Sequence, residues 1–166
     1  ATADIEVSSI DIVLSGNVAA GDVIANIYSI PALPGVNVNF NYADLTLLGT
    51  GTANFGGQGQ GFGNIPVTGI IPAGSNVVLE LVAPNGSFTN GFVPGYNDQG
   101  WASGVSYLAS DFCNVPNPQA IGQVLGGFPD VAAMQLNVMQ AAITPVQTAG
   151  IASGSAFPIG TSTQTY

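Results

Sequence analysis

The sequence predicts an antiparallel β-sandwich, jelly-roll or immunoglobulin-like, with a glycine-rich loop and at most one short helix. Three observations carry this expectation. Apolar and polar residues alternate in several segments, which is the period of a strand. Gly and Pro turn signals recur and cut the chain into short pieces. The composition is 46% hydrophobic and only 5% charged, whereas disordered chains combine low hydrophobicity with high charge. The 166 residues suit one domain with a real core.

Residues 1–14 read as an apolar strand. Ile5 and Val7 share one phase, and Ile10, Ile12 and Leu14 share the other. The phase changes at Ser8-Ser9, where a β-bulge is expected. Residues 15–146 form the body of the domain. The turn signals Ser15-Gly16-Asn17 and Ala20-Gly21-Asp22 lead into a strand from Val23 to Ile30. After Pro34-Gly35, Val36, Val38, Phe40 and Tyr42 alternate with Asn37, Asn39 and Asn41, which predicts another strand. From Gly49 to Asn64 the chain reads GTGTANFGGQGQGFGN, with seven glycines. It is expected to be a long surface loop, or a segment ordered against a neighbouring subunit by Phe55 and Phe62.

Pro72-Ala73-Gly74-Ser75 is a turn. Val77, Leu79 and Leu81 then alternate with Val78, Glu80 and Val82. That strand is apolar on nearly both faces, as in a sheet covered on both sides. Pro84-Asn85-Gly86 and Pro94-Gly95 are further turns. Asn117-Pro118 reads as a helix N-cap and first helical residue. Ala120, Ile121, Val124 and Leu125 then share a face, and Gly126 stops the helix. In Asp130–Ala142, propensity favours helix, but Met134, Leu136 and Val138 alternate, and a strand is expected. Residues 147–166 are a C-terminal extension of small and polar residues. Its Thr161–Thr165 stretch suits a frayed end or an O-glycan site.

The chain has no Lys, Arg or His against nine Asp and Glu, for a net charge of −9. Nucleic acid is disfavoured as a partner, because phosphates are neutralised by Lys and Arg. Ser or Cys nucleophiles have no basic side chain to activate them. A two-carboxylate mechanism finds only Glu6 and Glu80 as glutamates, each inside a strand. The chain is therefore expected not to be an enzyme, and no cofactor is implied. No apolar run reaches the roughly 20 residues of a membrane span. There is no basic segment leading into an apolar one, and Ala1-Thr2-Ala3 suits the start of a mature, exported chain.

Cys113 is the single cysteine, a buried inert thiol or a candidate intermolecular disulfide. Asn85-Gly86-Ser87 is a candidate N-glycosylation sequon. Asn97-Asp98 and Asp111 suggest a calcium site, with a plain turn as the simpler expectation. Trp101, Tyr96 and Tyr107 would form the site if the chain were a monomeric carbohydrate- or calcium-binding module.

The segments VVLELVAPNGSF, GYNDQGWASGVSYLASDFCNVPNP and GFPDVAAMQLNVM, within residues 72–138, resemble a β-sandwich module of secreted bacterial surface proteins. That resemblance implies an extracellular, non-enzymatic protein. The module usually has Cys-Gly where this chain has Cys113-Asn114. The N-terminal segment resembles, more loosely, the donor strands of filament subunits.

The expected function is an extracellular or cell-surface structural protein, whose partners are copies of itself and, as a candidate, a glycan. Ile5, Val7, Ile10, Ile12 and Leu14, with Phe55 and Phe62, are the candidate self-assembly residues. The competing expectation leaves residues 1–14 as the first strand of their own subunit. From charge alone, crowding of carboxylates on folding raises their pKa values, so acid is expected to leave stability intact or to increase it.

Overall fold

In the computed structural model, residues 3–14, 22–35, 38–83, 96–97, 106–111, 113–125 and 131–139 are described. The architecture is all-β and antiparallel, as the alternation predicts. The main sheet has six strands. They are β1 (Ile5–Leu14), β2 (Asp22–Ile30), β3 (Thr46–Asn54), β4 (Gly61–Ile71), β5 (Asn76–Val82) and β10 (Met134–Met139), in the spatial order β10-β1-β4-β3-β2-β5. Two ribbons accompany it: β6 (Tyr96–Asn97) with β9 (Val131–Ala132), and β7 (Tyr107–Ser110) with β8 (Val115–Ala120). Among the described residues the remaining strands form only these ribbons, so the large second sheet of a sandwich is not seen there.

The β-branched residues of β1, β2 and β4 suit a pleated surface and put one face into the core. Val7, Ile10, Ile12 and Leu14 of β1 meet Val23, Ala25 and Ile27 of β2 and Ile65, Val67 and Ile71 of β4. Each large side chain fully buried there contributes roughly 1.5–3 kcal/mol. The register of β1 shifts between Val7 and Ser9 against both of its neighbours. This is the bulge expected at Ser8-Ser9, and it keeps Val7 and Ile10 on the same buried face. The strands expected near Val23–Ile30, Val77–Val82 and Met134–Val138 are present. The Pro72–Ser75 turn closes with a hydrogen bond from Ser75 N to Pro72 O of 3.1 Å, and Gly74 has φ +78°.

Three expectations are corrected. The glycine-rich stretch Gly49–Asn64 is not one long loop. It is the end of β3, a short turn and the start of β4. Its glycines permit strands to approach closely. A Cβ at Gly51 would lie 1.9 Å from the Pro66 carbonyl oxygen. At Gly49 it would lie 2.6 Å from Thr68 O, and at Gly69 2.7 Å from Leu48 O.

The strand expected over 36–42 is absent where the structure describes it. Val38–Asn41 is irregular and Tyr42–Asp44 is a 3-10 turn, while Val36 and Asn37 lie outside the described residues. This segment spends its polar groups on the β7–β8 ribbon instead. Phe40 N donates to Pro118 O at 3.2 Å, and Ala120 N donates to Asn39 Oδ1 at 3.0 Å. Phe40 is buried and meets Tyr107 edge-on, with ring centroids 4.8 Å apart.

The helix expected from Asn117 begins only at Ile121 and is α1 (Ile121–Leu125). Residues 117–120 belong to β8, where Ala120 pairs with Tyr107 and Gln119 with Leu108. Pro116 and Pro118 are tolerated because a two-stranded ribbon leaves one edge of each strand unpaired.

Gly51→Ala places a methyl group against backbone that cannot swing aside. It is expected to cost at least about 1–3 kcal/mol, the usual range for overpacking. Gly61 has nothing within 4 Å of the corresponding position, so Gly61→Ala is expected to change stability by under about 0.5–1 kcal/mol. Denaturant midpoints of the two variants check the contrast, and equal losses would contradict it.

Candidate functional site

The N-terminal strand lies second from one edge of the six-strand sheet. β1 is antiparallel to β4 on one side and to β10 on the other. Its inner face supplies Val7, Ile10, Ile12 and Leu14, each at most 1% exposed, and Ile5 packs partly buried against them. Phe55 is also in this core, only 4% exposed, with its ring over Gly63. Phe62 is the opposite case, 85% exposed on β4. Of the two anchoring rings expected from the sequence, only Phe62 is exposed; Phe55 packs into the core.

The outer face of β1 carries a polar clasp. Asn64 of β4 donates from Nδ2 to Asp11 Oδ1 (2.5 Å) and to Ser9 Oγ (3.0 Å). Asn137 of β10 donates from Nδ2 to Asp11 Oδ2 (2.8 Å) and to Ser9 Oγ (3.0 Å). Each carboxylate oxygen thus receives one amide, one from each neighbouring strand. Ser8 Oγ adds a bond to the backbone oxygen of Asn137 at 3.3 Å. The amide of Asn137, then that of Asn64, holds the Asp11 carboxyl below its ordinary value of 3.8, against a smaller opposing effect of desolvation.

The expectation that carboxylates are raised is therefore overturned at Asp11, because neutral amides favour its charged form. A carboxylate held down in the folded state adds stability that is present above its ordinary value. That stability is lost as pH falls through the lower, folded one.

A second polar cluster lies on the outer face near β5. Glu80 accepts from Asn26 Nδ2 (2.7 Å) and Tyr28 Oη (3.0 Å) on Oε2, and from Tyr42 Oη (2.5 Å) on Oε1. Asn26 pairs with Glu80 across β2 and β5, and its Oδ1 accepts from Thr50 Oγ1 on β3 at 2.7 Å. Tyr42 belongs to the segment that reaches the β7–β8 ribbon, and its backbone N donates to Asn117 Oδ1 at 3.3 Å. The Glu80 carboxylate therefore ties the main sheet to that segment. Burial first, and then the Glu80 carboxylate, push Tyr28 up to about 12 and Tyr42 up as well.

Of the other candidate residues, only some are described. Cys113 is exposed in the turn after β7, where its N donates to Ser110 O at 3.1 Å. Asn114 follows at φ +57°, the left-handed region that glycine and asparagine tolerate best. Asn85, Asp98, Trp101 and residues 147–166 lie outside the described residues, as does the side chain of Tyr96. Asn97 is in β6 and Asp111 in the turn after β7. Tyr107 is half-buried against Phe40, and among the described residues its hydroxyl finds no hydrogen-bond partner. Among the described residues, no three His, Cys, Asp or Glu side chains are placed to hold a metal ion. No helix among them is long and apolar enough to cross a membrane.

Reading the sequence alone missed Asn26, Asn64, Asn137, Tyr28 and Tyr42. The strand positions of Asn26, Tyr28, Asn64 and Asn137 offered a weak signal, since each faces away from the core, whereas Tyr42 lies in a 3-10 turn. Comparison with protein-family models, with curated proteins and with solved structures finds no match to this chain.

The tyrosine–Glu80 cluster sets an alkaline limit. A tyrosine raised in the folded state adds stability that is complete below its ordinary value near 10 and is lost as pH rises through about 12. Tyrosinate absorbance in the folded protein is expected to show Tyr28 and Tyr42 ionising late. Glu80→Ala should let both tyrosines ionise at lower pH and cost roughly 1–3 kcal/mol, since it removes the acceptor of three donors. Unchanged titration in that variant would contradict the cluster.

Proposed function

We propose that this chain is an extracellular structural protein, a subunit that assembles with copies of itself into a filament, sheath or surface layer. Assembly proceeds by strand addition: residues 3–14 of one copy complete the sheet of the next. The observation that carries this reading is the way β1 is held. It is buried between β4 and β10, yet it makes no hairpin with β2, the strand that follows it in sequence. Two strands, β4 and β3, stand between β1 and β2.

The covalent connection to β2 is residues 15–21. Seven extended residues reach at most about 25 Å, more than the three inter-strand steps of roughly 5 Å each that separate β1 from β2. A strand of the same sequence from a second copy would meet the same ladder of main-chain bonds and the same apolar positions. That is the mode by which an extended segment adds to a sheet. A head-to-tail contact of this kind propagates when it does not close on itself. Surface chemistry supports it too: with no cationic side chains, partner choice rests on backbone pairing and apolar fit rather than on ion pairs.

The test removes residues 1–14 and returns them as a synthetic peptide. The truncated protein is expected to give no assemblies by electron microscopy. With the peptide added, it should become a folded, discrete monomer. Assemblies that persist in the truncated protein would rule out strand addition through this segment.

A further inference from the structure

We propose that the Ser9–Asp11–Asn64–Asn137 clasp is an acid-sensitive latch on the edge strand β10. The inference concerns the hold of one strand on another within a single copy, and it stands whether or not copies assemble.

The geometry is specific. Asp11 points from β1 to the outer face and divides its two oxygens between Asn64 of β4 and Asn137 of β10. Both amide hydrogens of each asparagine are used, one on Asp11 and one on Ser9. An ionised carboxylate accepts at both oxygens, whereas a protonated one turns one oxygen into a donor. That oxygen then faces an amide N–H, and one of the two bonds is lost.

The strand that yields is set by the sheet. β4 is paired on its far side by β3, while β10, among the described residues, is paired only by β1. The inward residues of β10, Met134 and Leu136, are only partly buried, and Val138 and Met139 are half-exposed. β10 therefore rests on little apolar contact, and the clasp is a large share of its side-chain hold. Edge strands of this kind open below the global unfolding free energy.

Among the described residues, no other ionisable group faces Asp11 from the strands packed against it. β4 and β10 contain no Asp or Glu, and the chain contains no Lys, Arg or His. Asp11 faces Asn64 from β4, and Gln135 and Asn137 from β10. The remaining carboxylate on β1 is Glu6, on the other side of the bulge and paired with Ile70 and Met139. The amides that favour the ionised form place the switch on the acid side of the ordinary aspartate range. The latch is closed at neutral pH and opens as pH falls through the folded value.

Amide hydrogen exchange of residues 134–139, corrected for intrinsic rates, tests the latch in the full chain at two pH values, about pH 7 and about pH 1.5, the second well below the ordinary aspartate range. Protection of these amides is expected to drop roughly three- to tenfold in acid, the effect of one hydrogen bond, while the amides of β2 hold. Asp11→Asn fixes a donor in place of one oxygen. It should show the low protection already at neutral pH and little further change in acid. Asn137→Ala should do the same, and it serves if Asp11→Asn does not fold. Equal protection of 134–139 at the two pH values in the unmodified chain would overturn the latch. So would a full acid response surviving in either variant.

Discussion

Every carboxylate in this protein has to find its partners without a cationic side chain, and the sheet is organised around that constraint. Asp11 takes two asparagine amides and Glu80 takes an amide and two phenols. Asp22 accepts from Asn54 at 3.0 Å, and Asp4 from the backbone of Ala73 at 2.9 Å. Hydrogen bonds to a charged acceptor are stronger than neutral ones, so these four carboxylates gather their neighbours. On the outer face these contacts run across strands, from β4 through β1 to β10 and from β3 through β2 to β5. The carboxylates act as cross-strand ties, where other proteins place ion pairs.

β1 joins this outer network to the core. Its inner side chains Val7, Ile10, Ile12 and Leu14 are fully buried, and its outer Ser9 and Asp11 bind both flanking strands. Loss of β1 therefore removes a core layer and a polar tie at once. That dependence is what a subunit needs if the completing strand can come from another copy. The strand is worth much to the fold, and its covalent connection leads away to β2, beyond two intervening strands.

Much of the fold was legible in the sequence, because strand alternation and turn residues act locally. The bulge at Ser8-Ser9, the strand ending at Ile30, the turn at Gly74 and the strand through Leu136 all follow from residues within a few positions of one another. What stayed hidden depends on partners far along the chain. The glycines at 49, 51 and 69 look like loop residues until β3 and β4 are seen to approach too closely for a Cβ. Val38, Phe40 and Tyr42 alternate like a strand, but their segment is captured by the β7–β8 ribbon and by Glu80. The buried set Val7, Ile10, Ile12 and Leu14 was readable from its period. The Asn64–Asp11–Asn137 clasp was not, since it needs the register of three strands, two of them 126 residues apart in sequence.

The dependence of stability on salt tests most directly whether neutral donors, rather than cations, hold these carboxylates. Ion pairs weaken as salt screens them, whereas repulsion among unpaired like charges is relieved. With a net charge of −9 and no cationic side chain, the midpoint of denaturation is expected to rise with sodium chloride between about 0.01 M and 0.15 M, where the screening length shortens from about 30 Å to about 8 Å. A midpoint that falls over that range would mean that attractive charge pairs support the fold, and would contradict this account.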